Sequence, residues 1–147
     1  MDREDYMDAA LELALEAADA GEVPVGCVIV KNGEIIASGR NRREETHDAS
    51  AHAELEAIRN ACAVIGDWRL SGCEIFVTLE PCPMCAGAVI NSRIGTVVYG
   101  AKDENTGSCG SVINLFEERY GHKPKVFGGV KGAECAAILK SFFEEKR

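Results

Sequence analysis

No apolar run in this 147-residue sequence approaches the roughly 20 residues needed to cross a bilayer, so no membrane association is expected. A basic leader is lacking too. The chain opens Met1-Asp2-Arg3-Glu4-Asp5, which fits neither a secretory signal nor an Arg-rich transit peptide, and a cytoplasmic protein is expected. Internal repeats, low-complexity tracts and Pro/Ser-rich linkers are absent, so one domain over residues 1–147 is expected. Excess positive charge is missing as well. The net charge of −8 argues against simple coating of nucleic acid. That charge is local, because eight of the 24 acids but only one of the 16 bases lie in the first 22 residues. An even set of cysteines is not there either. Seven cysteines without a leader argue against a disulfide framework, and only Cys82-x-x-Cys85 has metal-ligand spacing.

What is present reads as a folded α/β protein. The composition is 46% hydrophobic and 27% charged, outside the range of disordered chains. An apolar stripe of Met7, Ala10, Leu11, Ala14, Ala17 and Ala18 predicts a helix over residues 4–20, ended by Gly21. Its opposite face carries Asp5, Asp8, Glu12, Glu16 and Asp19, the pattern of a solvated face. Two apolar runs, 25–30 and 34–38, flank Asn32-Gly33 and predict a hairpin. Residues 40–50 read as irregular. Further elements are expected as a helix over 52–64, a strand over 73–79 stopped by Pro81, and a helix from Pro83 to about 91. A strand over 96–99, a short helix over 112–119, a short strand over 125–127 and a helix over 133–143 follow. Trp68 and Leu70 are expected to pack beside the sheet. Alternating strands and helices after an initial hairpin predict helices on both faces of a mixed sheet.

His52, Cys82 and Cys85 are a neutral imidazole and two thiolates, the donors tetrahedral zinc prefers. Cys82 begins where a strand ends and a helix starts, and the partial positive charge of a helix N-terminus favours thiolate. Glu54 lies two residues beyond His52. Both can approach one ion only if it sits off the helix end, which a helix starting near residue 51 allows. Structural zinc has four protein ligands, whereas catalytic zinc has three and an open position for water. Cys27, His47 or Cys73 remain as candidates for a fourth ligand. With three ligands, Glu54 is placed to move protons between water and substrate.

His52-Ala53-Glu54, then 26 residues, then Pro81-Cys82-Pro83-Met84-Cys85 is the known H-x-E…P-C-x-x-C signature of zinc deaminases, and it is matched here, not discovered. The chain resembles the cytidine-deaminase-like superfamily and, within it, the bacterial tRNA-specific adenosine deaminases. The likeness runs almost end to end, through 21–26, Asn41, 51–54, 78–88, Ser92-Arg93-Ile94, 99–103, Gly110-Ser111 and 134–137. The resemblance implies a three-layer α/β/α fold with a mixed five-stranded sheet, one zinc ion per chain and a homodimer. It implies conversion of adenosine to inosine at the wobble position of a tRNA anticodon stem-loop. His52, Cys82 and Cys85 match the zinc ligands and Glu54 the proton shuttle. Asn41 matches a residue hydrogen-bonded to the target base, Val25 and Ala53 match positions lining the base pocket, and Asp103 matches a position near the RNA backbone and sugar.

One departure is Gly121, which precedes His122 where the tRNA enzymes usually carry asparagine. Arg119, Lys123, Lys125 and Lys131 form a basic stretch, and Arg40, Arg42 and Arg43 flank Asn41; either group could meet phosphates or serve as ordinary surface. Phe142 and Phe143 fit RNA contact or core packing. The rival readings are a deaminase of a free nucleobase or nucleoside on the same fold and, from another class, a non-catalytic zinc-stabilised interaction module.

Overall fold

In a computed structural model, which describes residues 1–145, the elements follow in the order α1 (Arg3–Asp19), β1 (Gly26–Lys31), β2 (Glu34–Arg40), α2 (Arg43–Thr46), α3 (Ala53–Ile65), β3 (Cys73–Leu79), α4 (Pro83–Ser92), β4 (Thr96–Ala101), β5 (Lys125–Phe127) and α5 (Gly132–Glu145). The five strands form one sheet in the order β2-β1-β3-β4-β5. β1 runs antiparallel to β2 and β3, while β3, β4 and β5 are mutually parallel, so the sheet is mixed as expected.

The hairpin is set by its turn. Asn32 and Gly33 have φ of 52° and 79°, the left-handed pair a two-residue turn needs, and Lys31 pairs with Glu34 across it. Alternation then sorts the strand residues. Val28, Val30, Phe76 and Val98 point to one face and meet Tyr6, Met7, Ala10 and Leu11 of α1 and Cys135 of α5. Cys27, Ile29, Ile75, Val77 and Val97 point to the other and meet Ala53, Ala57 and Ile58 of α3 and Ala86, Val89 and Ile90 of α4. These are the three layers of the expected α/β/α fold.

Close approach of α3 requires a missing side chain. A Cβ on Gly39 would lie 2.5 Å from the Ala53 oxygen and 2.7 Å from the Ala57 nitrogen. The start of α3 is thus pressed onto the end of β2. The start of α4 follows the end of β3 directly, with Pro83 in its first turn. Both helix starts therefore open at one end of the sheet.

Two local expectations change. Residues 112–119 hold only a single 3₁₀ turn, Leu115–Glu117, because the Asn114 side chain accepts from the Phe116 amide and only Phe116 is buried. The stretch 40–50 is not wholly irregular, since α2 forms one helical turn there. Leu70 is buried as expected, whereas Trp68 is exposed, its indole stacked by Arg69 at 4.5 Å.

Candidate active site and metal centre

His52 is the residue just before α3 and Cys82 the residue just before α4; both are extended, with ψ of 152° and 174°. Extended backbone there lets each side chain turn across its own helix end. Cys85 reaches the same point from the first turn of α4. His52 Nδ1 stands 3.6 Å from Cys82 Sγ and 3.5 Å from Cys85 Sγ, and the three donor atoms lie within 4.8 Å of one another. The edge of a tetrahedron with metal–nitrogen and metal–sulfur bonds of zinc length is about 3.6 Å. The donor set and its spacing therefore fit a tetrahedral ion with zinc's preferences. Among the described residues no fourth ligand joins: Cys27, His47 and Cys73 stay outside the group. An ion held by these three would keep a fourth position for solvent or substrate.

The titrations agree with a ligand set. Cys82 is held down at about 4, first by the hydrogen bond from the Cys85 thiol and then by His52. Cys85 is pushed far up, first because it supplies that proton and then by burial. The Cys85 thiol must lose its proton before both sulfurs can ligate a metal ion. His52 is raised, chiefly by its bond to Cys82. Burial pushes the Cys109 thiol up to about 12 and Cys27 well above its ordinary value, so both remain thiols. Glu54 is buried in the first turn of α3, and burial raises its carboxyl to about 7. A carboxyl poised there can take and give a proton near neutrality.

A cavity of about 510 Å³ opens on these groups and is lined by His52, Glu54, Cys82, Asn41, Val25 and Asp103 among others. Six of the eight residues singled out in the sequence thus meet in one place. Cys85 belongs to the donor group but is fully buried and does not line the cavity. Ala53 is fully buried and does not line the cavity; its backbone amide instead donates to Asn41 Oδ1 at 2.9 Å. The Asn41 amide group donates to the Val23 carbonyl at 3.1 Å. Asp103 folds its own loop, accepting from the amides of Asn105 and Thr106 and from the Thr106 hydroxyl.

Of the arginines beside Asn41, only Arg43 reaches the cavity. Arg40 pairs with Glu45 at 2.7 Å and Arg42 with Glu56 at 2.9 Å. The basic stretch after residue 119 does not line the cavity, and Lys123 and Lys131 pair with Glu117 and Asp8. Phe143 and Leu139 of α5 do line it, and Phe142 is half-buried. Gly121 has φ of 80°, a conformation asparagine also tolerates, and His122 Nε2 lies 2.7 Å from the Ile94 carbonyl.

Two residues went unrecognised in the sequence. Glu22 and Glu80 are each almost fully buried. Glu22 accepts from the amides of Glu44 and Glu45 and so holds α2. Glu80 lines the cavity and holds the loop after β4. For Glu80 the available signal was an acid set directly between an apolar strand end and a Pro-Cys step.

The whole chain, residues 1–147, matches the model of the MafB19-like deaminase family. It is 50% identical to the tRNA-specific adenosine deaminase of Bacillus subtilis over 97% of this chain and 89% of that one. It superposes with a TM-score of 0.90 and 42% identity on a tRNA:A34 deaminase studied for A-to-I editing at the wobble position of transfer RNA, covering 92% of this chain and 99% of that one. A guanine deaminase from Nitrosomonas europaea shares the fold at a TM-score of 0.84 and 26% identity, over 95% of this chain and 83% of that one. The three-ligand site, the buried glutamate and these likenesses lead to one assignment: the chain belongs to the MafB19-like deaminase family and, within it, to the tRNA-specific adenosine deaminases.

Proposed function

We propose that this chain is one deaminase domain, residues 1–147, that binds one zinc ion and hydrolyses adenosine to inosine at the wobble position of a tRNA anticodon stem-loop. The observation that carries this reading is the donor triangle His52–Cys82–Cys85 at tetrahedral edge lengths, open to a cavity that also holds the buried Glu54. The names of the relatives supply the substrate class.

Zinc held by these three residues would supply the Lewis acidity that makes water a nucleophile near neutral pH. Glu54 does the proton work. Its carboxyl gives a proton to adenine N1, which makes C6 electrophilic, takes one proton of the incoming water, passes it to the departing amine, and takes the remaining proton from the C6 hydroxyl as the carbonyl forms, which restores the carboxyl. Water adds at C6 and ammonia leaves, with hypoxanthine as product. Asn41 orients the base. Its amide has two N–H groups and two lone pairs on oxygen, and one of each is used within the chain. The remaining donor and acceptor suit a purine edge. Val25 gives the base an apolar wall, and Ala53 fixes Asn41 from behind. Asp103 stands beside the sugar through the loop it orders. Arg43 and Lys102 lie on the cavity rim, where flanking phosphates of an extruded nucleotide would pass. A wobble base is already unpaired in its loop, so extrusion costs less than from a duplex.

The chain acts in the cytoplasm as a homodimer, as its resemblance to the family implies. Among the described residues no helix is long and apolar enough to cross a membrane. Large apolar side chains such as Val64, Val112 and Ile113 are exposed and available to a second copy. Sedimentation at two concentrations tests the dimer.

The function is tested by mapping inosine. Zinc-loaded protein is incubated with an anticodon stem-loop carrying adenosines at the wobble and neighbouring positions. Inosine confined to the wobble position supports the reading. Deamination spread evenly over loop adenosines, or none, contradicts it.

A further inference from the structure

Residues 102–106 wall one side of the cavity and continue to residue 111 as a loop without helix or strand. A loop of this kind presents a fixed wall only if other groups tie it down. The tie is one carboxylate. Glu80 Oε1 accepts from the Asp103 amide at 3.1 Å and from the Ser111 hydroxyl, and Oε2 accepts from the amides of Cys109 at 2.9 Å and Ser111 at 3.1 Å. Four donors meet the four acceptor sites of a carboxylate. Among the described residues no cation is paired with Glu80 by a salt bridge, so loop amides carry its solvation. Gly107 lies against the carboxylate, and a Cβ there would strike its carbon and come within 2.6 Å of Oε1. The Ser108 amide adds a bond to the Pro81 carbonyl at 2.8 Å.

Glu80 stands at the end of β3, two residues before the ligand Cys82. One short segment therefore carries both a metal ligand and the anchor of the opposing wall. Glutamine cannot replace it, because its NH₂ group would face a backbone N–H in either orientation.

We propose that Glu80 is a positioning residue for substrate: by gathering the amides of Asp103, Cys109 and Ser111 it fixes the 102–111 loop, whose 102–106 part walls the cavity, and so sets substrate affinity without entering the proton chemistry. The substrate's identity in this proposal rests on the reading given above. The test compares Glu80→Gln, Ser111→Ala and Gly107→Ala with the native chain, all loaded with zinc. Metal content, kcat and KM for the stem-loop, and amide hydrogen exchange across 102–111 are measured. The expected result for Glu80→Gln is KM raised tenfold or more, kcat within threefold, one zinc retained, and exchange accelerated only in the loop. Ser111→Ala and Gly107→Ala should move KM in the same direction, and they decide the matter if Glu80→Gln does not fold. A fall in kcat at unchanged KM, loss of zinc, or unchanged kinetics would each overturn the proposal. If the native chain turned over only a free base, the RNA reading would fail, and the same comparison on that base would decide the role of Glu80.

Discussion

The side-chain oxygen of Asn41 accepts the Ala53 amide at 2.9 Å, so the residue after β2 secures the first amide of α3. The same side chain holds the Val23 carbonyl. Asn41 thus joins the strand, the cavity wall and the helix that carries His52 and Glu54. Asn41→Ala leaves both partners without their bond, which costs about 1–3 kcal/mol for a buried polar group. It also removes the group proposed to orient the base. Urea unfolding is expected to show that loss, and stem-loop turnover is expected to fall at least tenfold.

Glu54 is proposed to carry every proton transfer. Glu54→Gln keeps the shape and polarity of the site but cannot exchange protons. Turnover is expected to drop by about 10²–10⁴-fold, the scale of general acid–base catalysis. Zinc content should stay at one per chain, because Glu54 lies outside the ligand group. Metal analysis beside single-turnover kinetics checks both halves.

Metal uptake should release protons. In the metal-free site Cys82 is held down by its bond from the Cys85 thiol, and Cys85 is held up by the same bond and by burial. Both thiols must be ionised to bind the ion, so affinity rises with pH and falls as acid restores the proton. Calorimetric titration with zinc in two buffers of different ionisation enthalpy counts the protons released. Cys85→Ser should lose most of the affinity and all deamination.

The His52–Cys82–Cys85 donor group was legible in the sequence because it depends on local spacing. His-x-Glu and Cys-x-x-Cys each lie at a helix start, and their two helices start at the same end of one sheet. The Asn32-Gly33 turn and the period-two strands were legible for the same reason. Glu22 and Glu80 were not, since a lone acid in sequence looks like solvated surface. Their burial is justified only by amides and one hydroxyl that arrive from 22 to 31 residues away. The helical turn α2 was hidden with Glu22, which holds its first amides. Ala53 was expected to line the base pocket but is fully buried and does not line the cavity, a matter of helix phase that spacing alone leaves open.

Gly39 sets how closely α3 approaches the sheet. Gly39→Ala places a methyl group against the backbone of Ala53 and Ala57, which cannot retreat without moving α3. Overpacking of this kind costs about 1–3 kcal/mol. A lower melting temperature is expected together with weaker zinc binding, because His52 moves with the helix. A variant that melted lower but bound zinc as tightly as the native chain would separate the two effects.

The central claim is that this site acts on adenosine within RNA. The most direct measurement offers the zinc-loaded protein a wobble-adenosine stem-loop together with free adenosine, adenine, guanine and cytosine, and follows every product in one reaction. The account predicts inosine in the RNA alone, and suppression of that turnover as salt is raised, since phosphate contacts impose a steep salt dependence. Turnover of a free base or nucleoside with the RNA untouched would contradict it.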